Sequence, residues 1–397
     1  MPVTALADEA GPIGPVAVRG RPGWFRLERG AGGRWRLLDP AGERVFLRAV
    51  HHAEPTPSPV DGPLPPDAAA RLRGWGFNAL GLGAEAVRAD GFPHLAAVDF
   101  CRAGPVLTGP GLRLPDVFDR AWPERAAERA AEVCGPAADQ TELVGWVTDA
   151  GLGWCQLPRS GRPTLLQLCL AQEPSVAAYH AAWEFVLALH GGRLELVARA
   201  WGQDWVHRER VRELTRAEQG IATRGYLRDA ERWTREFARR YFTAASAAIR
   251  AVDSNHLILG CPLGDGVGPE VAAECAYPAV DLPLLGWRVA PPLDSPHPFL
   301  ADGVGWGTPE FRAAGPGGRR DRTTGVERML RRARTALDRL AAHPAAVGYC
   351  WGRWRDEPAE RPPFGSGLLH HDGSEAPEHL ELIAAFNARL VRTERDR

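Results

Sequence analysis

The chain has 397 residues, is 45% hydrophobic, and sets 48 basic side chains against 49 acidic ones for a net charge of −1. That length buries a large core, and the balanced charge argues against nucleic acid as the main partner, because phosphate binding needs a surplus of cations on one face. Every one of the cations is arginine, since the chain holds no lysine; Schiff-base, pyridoxal-phosphate and P-loop lysine chemistry are therefore excluded.

Residues 1–20 are rich in Gly, Pro and Ala and read as a flexible lead-in to a single domain over 21–397. From Trp24 to Val50 apolar residues alternate, with turn signals at Gly30–Gly33 and Asp39–Gly42. This pattern predicts a hairpin over 24–43 that runs into a first strand at Val45–Val50. After a proline-rich loop, helices and strands take turns. Helices are predicted at 67–74, 116–134, 175–190, 227–252, 269–275, 324–342 and 376–392. Strands are predicted at 77–83, 94–100, 143–149, 256–261, 280–286, 304–311 and 346–351. Alternation of this kind builds a parallel sheet covered by helices, and eight strands favour a closed (β/α)8 TIM barrel over 44–392. No GxGxxG or P-loop follows a strand, so an open nucleotide-binding sheet lacks its fingerprint.

The seven cysteines are scattered without a CxxC pair, which suggests neither a zinc ribbon nor a disulfide framework. No basic stretch leading into an apolar run opens the chain, and nowhere do eighteen apolar residues run together. The expectation is a cytoplasmic protein with reduced thiols, no membrane span and no cofactor.

In a TIM barrel the reactive groups lie at the C-terminal ends of the strands. There the sequence offers His51 and His52 after the first strand, Asn78 and Glu85 on or after the second, Asp149 after the fourth and Glu310 at the seventh. Asp149 and Glu310 would face each other across the barrel mouth, the arrangement that acid–base or nucleophilic work at a glycosidic bond requires. Trp154, Trp287, Trp306, Trp351 and Trp354 supply broad apolar rings for a flat or sugar-like ligand. His51 and His52 are adjacent, so on a strand they point to opposite sides; this spacing does not suit a metal, and no metal is expected.

Several segments resemble the agarase-like glycoside hydrolases. The stretch from Trp35 to Leu47 (WRLLDPAGERVFL) is similar to their "grWwLvDPdGkpFf" hairpin, and the stretch from Trp75 to Gly81 (WGFNALG) to their second strand. Asp139 to Trp154 resembles the fourth-strand pattern "DpwliGyflDNElpW", the stretch from Pro309 to Ala314 "itEfsfra", and Val347 to Trp351 "vvGahWf". The resemblance spans roughly 24–390 and implies a retaining hydrolase barrel of the agarase and β-galactosidase type. It matches Glu310 to the family's nucleophile. The family's acid/base glutamate, in "DNE", falls on Gly151, after Asp149 and Ala150.

A positioned general acid contributes about 10²–10⁴-fold. Its loss leaves three readings open: a hydrolase of a small glycoside or oligosaccharide with a relocated acid, a pseudo-glycosidase that cyclises, eliminates or rearranges a bulky metabolite, and a non-catalytic carbohydrate-binding protein.

Overall fold

The computed structural model describes residues 17–53, 66–83, 91–109, 111–154, 161–204, 207–263, 279–287, 293, 295–306, 326–356, 365–370 and 372–395. Four short strands, β1 (Ala17–Arg19), β2 (Arg26–Arg29), β3 (Trp35–Leu38) and β4 (Arg44–Val45), form an antiparallel sheet in that order. Leu27 and Leu37 pair across it, and both are fully buried. Trp35 ties the sheet to the barrel: its backbone N–H donates to the Pro344 carbonyl and its indole N–H to the Pro296 carbonyl. Both prolines lie just before barrel strands, so this sheet packs at the N-terminal end of the barrel, away from the mouth.

The barrel strands are β5 (Leu47–Val50), β6 (Ala79–Leu80), β7 (His94–Val98), β10 (Leu143–Thr148), β12 (Leu257–Gly260), β13 (Leu284–Gly286), β14 (Phe299–Val304) and β15 (Ala346–Trp351). Their order is β12-β10-β7-β6-β5-β15-β14-β13, and every pairing is parallel. Just past β12, a parallel bridge between Leu263 and Leu285 closes the ring. Continuous burial along β5, β10, β12 and β15 is what a strand enclosed on both faces requires.

Helices α1 (Pro66–Gly74), α2 (Trp122–Cys134), α3 (Leu165–Leu170), α4 (Ala177–Leu189), α5 (Leu194–Ala200), α6 (Glu209–Arg216), α7 (Arg224–Val252), α8 (Val326–Ala342) and α9 (Pro377–Arg395) fill the connections. Thr223 caps α7 by accepting from the Tyr226 N–H, and Trp233, Phe237, Tyr241, Phe242, Ala245 and Ile249 form the buried face that their helical spacing predicts. No described helix is long and apolar enough to cross a membrane. Cys101, Cys134, Cys169, Cys261 and Cys350 are free and buried, while Cys155 and Cys275 lie outside the described residues.

Three features differ from the sequence expectation. Residues 17–19, read as lead-in, form β1 and pair with β2. A separate three-stranded sheet, β11-β9-β8, joins β8 (Val106–Gly109), β9 (Leu112–Pro115) and β11 (Gly153–Trp154). The seventh barrel strand is Phe299–Val304 rather than 304–311, because Phe299, Leu300 and Ala301 supply the buried run that pairs with β13 and β15. The helix expected at 269–275 lies outside the described residues.

Candidate active site

Asp99 and Asp149 directly follow β7 and β10, so both stand at the C-terminal mouth. Asp149 adopts a left-handed backbone (φ 58°) and is 1% exposed. One of its oxygens accepts from the Cys101 N–H at 2.9 Å, and the other from the Tyr241 hydroxyl of α7 at 2.6 Å. Asp99 Oδ1 is buried with no hydrogen-bond partner among the described residues, although the Asp99 side chain as a whole is 33% exposed. Arg102 contacts the Asp99 carboxylate at 3.3 Å and Arg113 at 3.8 Å. Ligand atoms of Asp99, Cys101 and Asp149 all lie within 4.8 Å of one another. Two carboxylates so close cannot both ionise cheaply. Burial first, and then Asp99, pushes the Asp149 carboxyl up to about 7, against the hydrogen bonds from Tyr241 and Cys101. Asp149 can hold a proton near neutrality, and Asp99 is the more exposed member of the pair.

Gly151, two residues on, has room for a side chain. A Cβ placed there would meet only the Arg113 guanidinium, at 3.9 Å. Lack of room for a Cβ is therefore not what keeps the family's glutamate from this position.

On the other wall, His51 follows β5 and reaches over β15 to Asp302 on β14. Its Nε2 lies 2.8 Å from Asp302 Oδ1, and its Nδ1 accepts from the Leu82 N–H at 2.9 Å. The Leu82 donor assigns the neutral ring's proton to Nε2. Burial lowers the imidazole, and the neighbouring Cys350 and Asp302 overcome that and push it up to about 10. Cys350 is itself held above the usual thiol range by burial, and the Leu82 N–H opposes a second ring proton. His51, Asp302 and Cys350 could also be read as metal ligands, since their donor atoms lie within 4.8 Å of one another. A metal on Nε2 would require the proton on Nδ1, where the Leu82 N–H already points, whereas ligating histidines present that nitrogen to an acceptor.

Both histidines lie against glycine. A Cβ at Gly81 would sit 2.3 Å from His51 Nδ1, and one at Gly83 2.6 Å from His52 Nδ1. His52 is exposed at the rim with a left-handed backbone (φ 51°).

The remaining residues singled out from the sequence separate into groups. Trp154, Trp306, Trp351 and Trp354 are 7%, 3%, 0% and 3% exposed, so they pack beneath the mouth and do not offer open stacking faces. Trp154 stacks on Phe242, Trp306 meets Trp351 edge-on at 4.8 Å, and Trp354 lies 5.4 Å from Trp75. Trp287 is half-buried, and its backbone N–H donates to the Asp302 carbonyl. Asn78 stands at the N-terminal ends of the strands, away from the mouth. Its Oδ1 accepts from the Arg48 N–H and its Nδ2 donates to the Phe46 carbonyl, which ties β5 to the start of β6. Glu310 lies outside the described residues. Asp99, Tyr241 and Asp302 were not singled out from the sequence as site residues.

A closed parallel barrel with carboxyl groups on both walls of its C-terminal mouth is a glycoside hydrolase-like architecture. Comparison with known proteins narrows the type. Two solved agarases share the fold: AgWH50C with a TM-score of 0.67 over 96% of this chain and 68% of that one, and an exo-β-agarase with 0.65 over 95% and 66%, each at 17% identity. A β-galactosidase from the psychrophilic Marinomonas ef1 aligns with a TM-score of 0.57 at 11% identity, over 89% of this chain and 60% of that one. In sequence, 224 residues are 27% identical to β-agarase A of Vibrio sp. (strain JT0107), covering 52% of this chain but 22% of that much longer protein. No family model matches. Sequence and fold together make this an agarase-like barrel.

Proposed function

We propose that the protein is a carbohydrate-active enzyme that cleaves a small glycoside or oligosaccharide in the barrel mouth, with the Asp99–Asp149 pair taking over from the acid that Gly151 lacks. The observation that carries this reading is the carboxyl pair itself: two acids at the ends of β7 and β10, one buried and held by Tyr241 and Cys101, the other exposed to the mouth. Asp149, at 1% exposure, holds the proton, and Asp99, its more exposed neighbour, is the route by which that proton reaches the mouth. Glu310, matched to the family's nucleophile by sequence and six residues past the end of β14, is the proposed partner of this acid. Open space at Gly151 also supports a second reading, a pseudo-glycosidase whose reaction needs no strong acid at that position.

The test is the pH dependence of turnover on aryl and alkyl glycosides. An acid must be protonated to act, so kcat/KM is expected to fall as pH rises through about 7, where Asp149 gives up its proton. Aryl substrates with good leaving groups should lose less than alkyl ones. Asp149→Asn should remove that limb of the profile. Turnover independent of pH between about 5 and 9 would contradict the assignment of the acid, and absence of turnover on every glycoside would contradict the hydrolase reading.

A further inference from the structure

The wall formed by β5, β14 and β15 is more elaborate than a buried ion pair needs. Along β14, Ala301 pairs with Tyr349 and Val304 with Trp351, so Asp302 and Gly303 together oppose the single residue Cys350. This is a β-bulge, and Gly303 carries the left-handed backbone (φ +63°) that it requires. Bulges re-aim a side chain, and this one brings the Asp302 carboxylate to His51 Nε2 at 2.8 Å.

His51 is fixed from every side. Its N–H donates to the Trp351 carbonyl, its own carbonyl accepts from the Trp354 N–H, Nδ1 accepts from the Leu82 N–H, and Gly81 leaves the ring its space. A histidine so pinned holds one oxygen of Asp302 still. The other oxygen has no hydrogen-bond partner among the described residues, and the side chain keeps 17% of its surface open. A carboxylate anchored through one oxygen, with part of its surface still open, can accept a hydrogen bond from something that enters the mouth.

We infer that Asp302 is a substrate-binding residue, held by His51 as its positioning residue, and that its open oxygen accepts a hydrogen bond from a hydroxyl of the bound glycoside. This assignment rests on the glycoside reading above. The buried Cys350 thiol, on the strand opposite the bulge and within 4.8 Å of both partners, carries no charge at neutral pH. The same oxygen would attract a cationic amine, and the test separates the two ligands.

The experiment takes the 4-nitrophenyl β-glycosides of galactose, glucose and mannose, measuring KM and kcat, with binding of the corresponding methyl glycosides followed by titration calorimetry. Asp302→Asn keeps the acceptor for His51 and the shape of the side chain, so folding is preserved. It is expected to raise KM, and to weaken methyl glycoside binding, by roughly 10- to 100-fold, the size of a hydrogen bond to a charged group, with a smaller change in kcat. His51→Gln, which retains a donor, should stay within about threefold of wild type. His51→Ala should match Asp302→Asn, and the double variant should be no worse than either single one. Unchanged KM in a folded Asp302→Asn protein, or effects that simply add in the double variant, would overturn the inference and leave the glycoside reading standing. Wild-type protein that binds amines but none of the glycosides would overturn both.

Discussion

The two ends of the barrel use polar side chains in opposite ways. At the N-terminal end every hydrogen-bonding group named here is consumed by the fold. Asn78 bridges β5 and the start of β6 with both ends of its amide, and Arg48 Nε donates to the Gly76 carbonyl. Asp253, fully buried, accepts from the Trp146 indole, from His256 Nδ1 and from the backbone N–H groups of Asn255 and His256, while His256 Nε2 bonds the Gln140 carbonyl. At the C-terminal end, Asp99 Oδ1 has only the Arg113 guanidinium at 3.8 Å and no hydrogen bond among the described residues, and Asp302 is anchored through one oxygen while its side chain stays 17% exposed. Buried polar groups are normally satisfied. A carboxylate oxygen short of hydrogen bonds at the mouth is one that a ligand can complete.

The largest expected effect adds a group to the mouth. The Cβ of Gly151→Glu meets only the Arg113 guanidinium, and the new carboxyl belongs to the position where the family pattern has its acid; placed in an Asp149→Asn background, which lacks the pair's proton, it should raise turnover of alkyl glycosides by about 10²–10⁴-fold. An unchanged rate in a folded variant would show that this mouth is not a hydrolytic site short of an acid.

Next comes the opposite end. Asp253→Ala leaves the Trp146 indole, His256 and two backbone N–H groups without their acceptor, and stability should fall by about 3–5 kcal/mol, read from urea unfolding. The sign of its pH dependence is fixed. Although burial opposes ionisation, the bonds from His256 and Trp146 hold the Asp253 carboxyl below its usual range. Its contribution is complete above the unfolded value near 4 and is lost as pH falls through the lower folded value. The variant should therefore lose least, relative to wild type, in acid.

The smallest effect sharpens the comparison most. Asn78→Ala should cost about 1–2 kcal/mol of stability while leaving KM for any accepted glycoside unchanged. A shift in KM there would show that the N-terminal end is not purely structural.

Much of this was legible in the sequence. The eight strands followed from apolar runs, and Asp149 stood out as a carboxylate that ends one of them. The rest was obscured for physical reasons. Asp302-Gly303 reads as a turn signal, so the strand containing it was placed several residues later; the pair is in fact a bulge inside the strand. Asp99 interrupts an apolar stretch that continues into Phe100, and nothing local distinguishes it from a strand residue. Tyr241 was visible as part of the buried face of α7, but a helical stripe does not reveal that its hydroxyl reaches Asp149. The tryptophans failed as platforms because aromatic spacing near strand ends does not tell a ring above the mouth from one packed below it. Asn78 was misplaced by one end of a strand, which is the length of the barrel.

The most direct test of the central claim is a trapping measurement. The intact protein is incubated with activated 2-deoxy-2-fluoro glycosides of galactose, glucose and related sugars, beside a Glu310→Ala control, and its mass is recorded. Such reagents need a nucleophile but little help from an acid, so Gly151 is no obstacle. The account predicts a single covalent glycosyl adduct that maps to Glu310 and is absent from the control. No adduct with any of the sugars, or one that persists in the control, would contradict it.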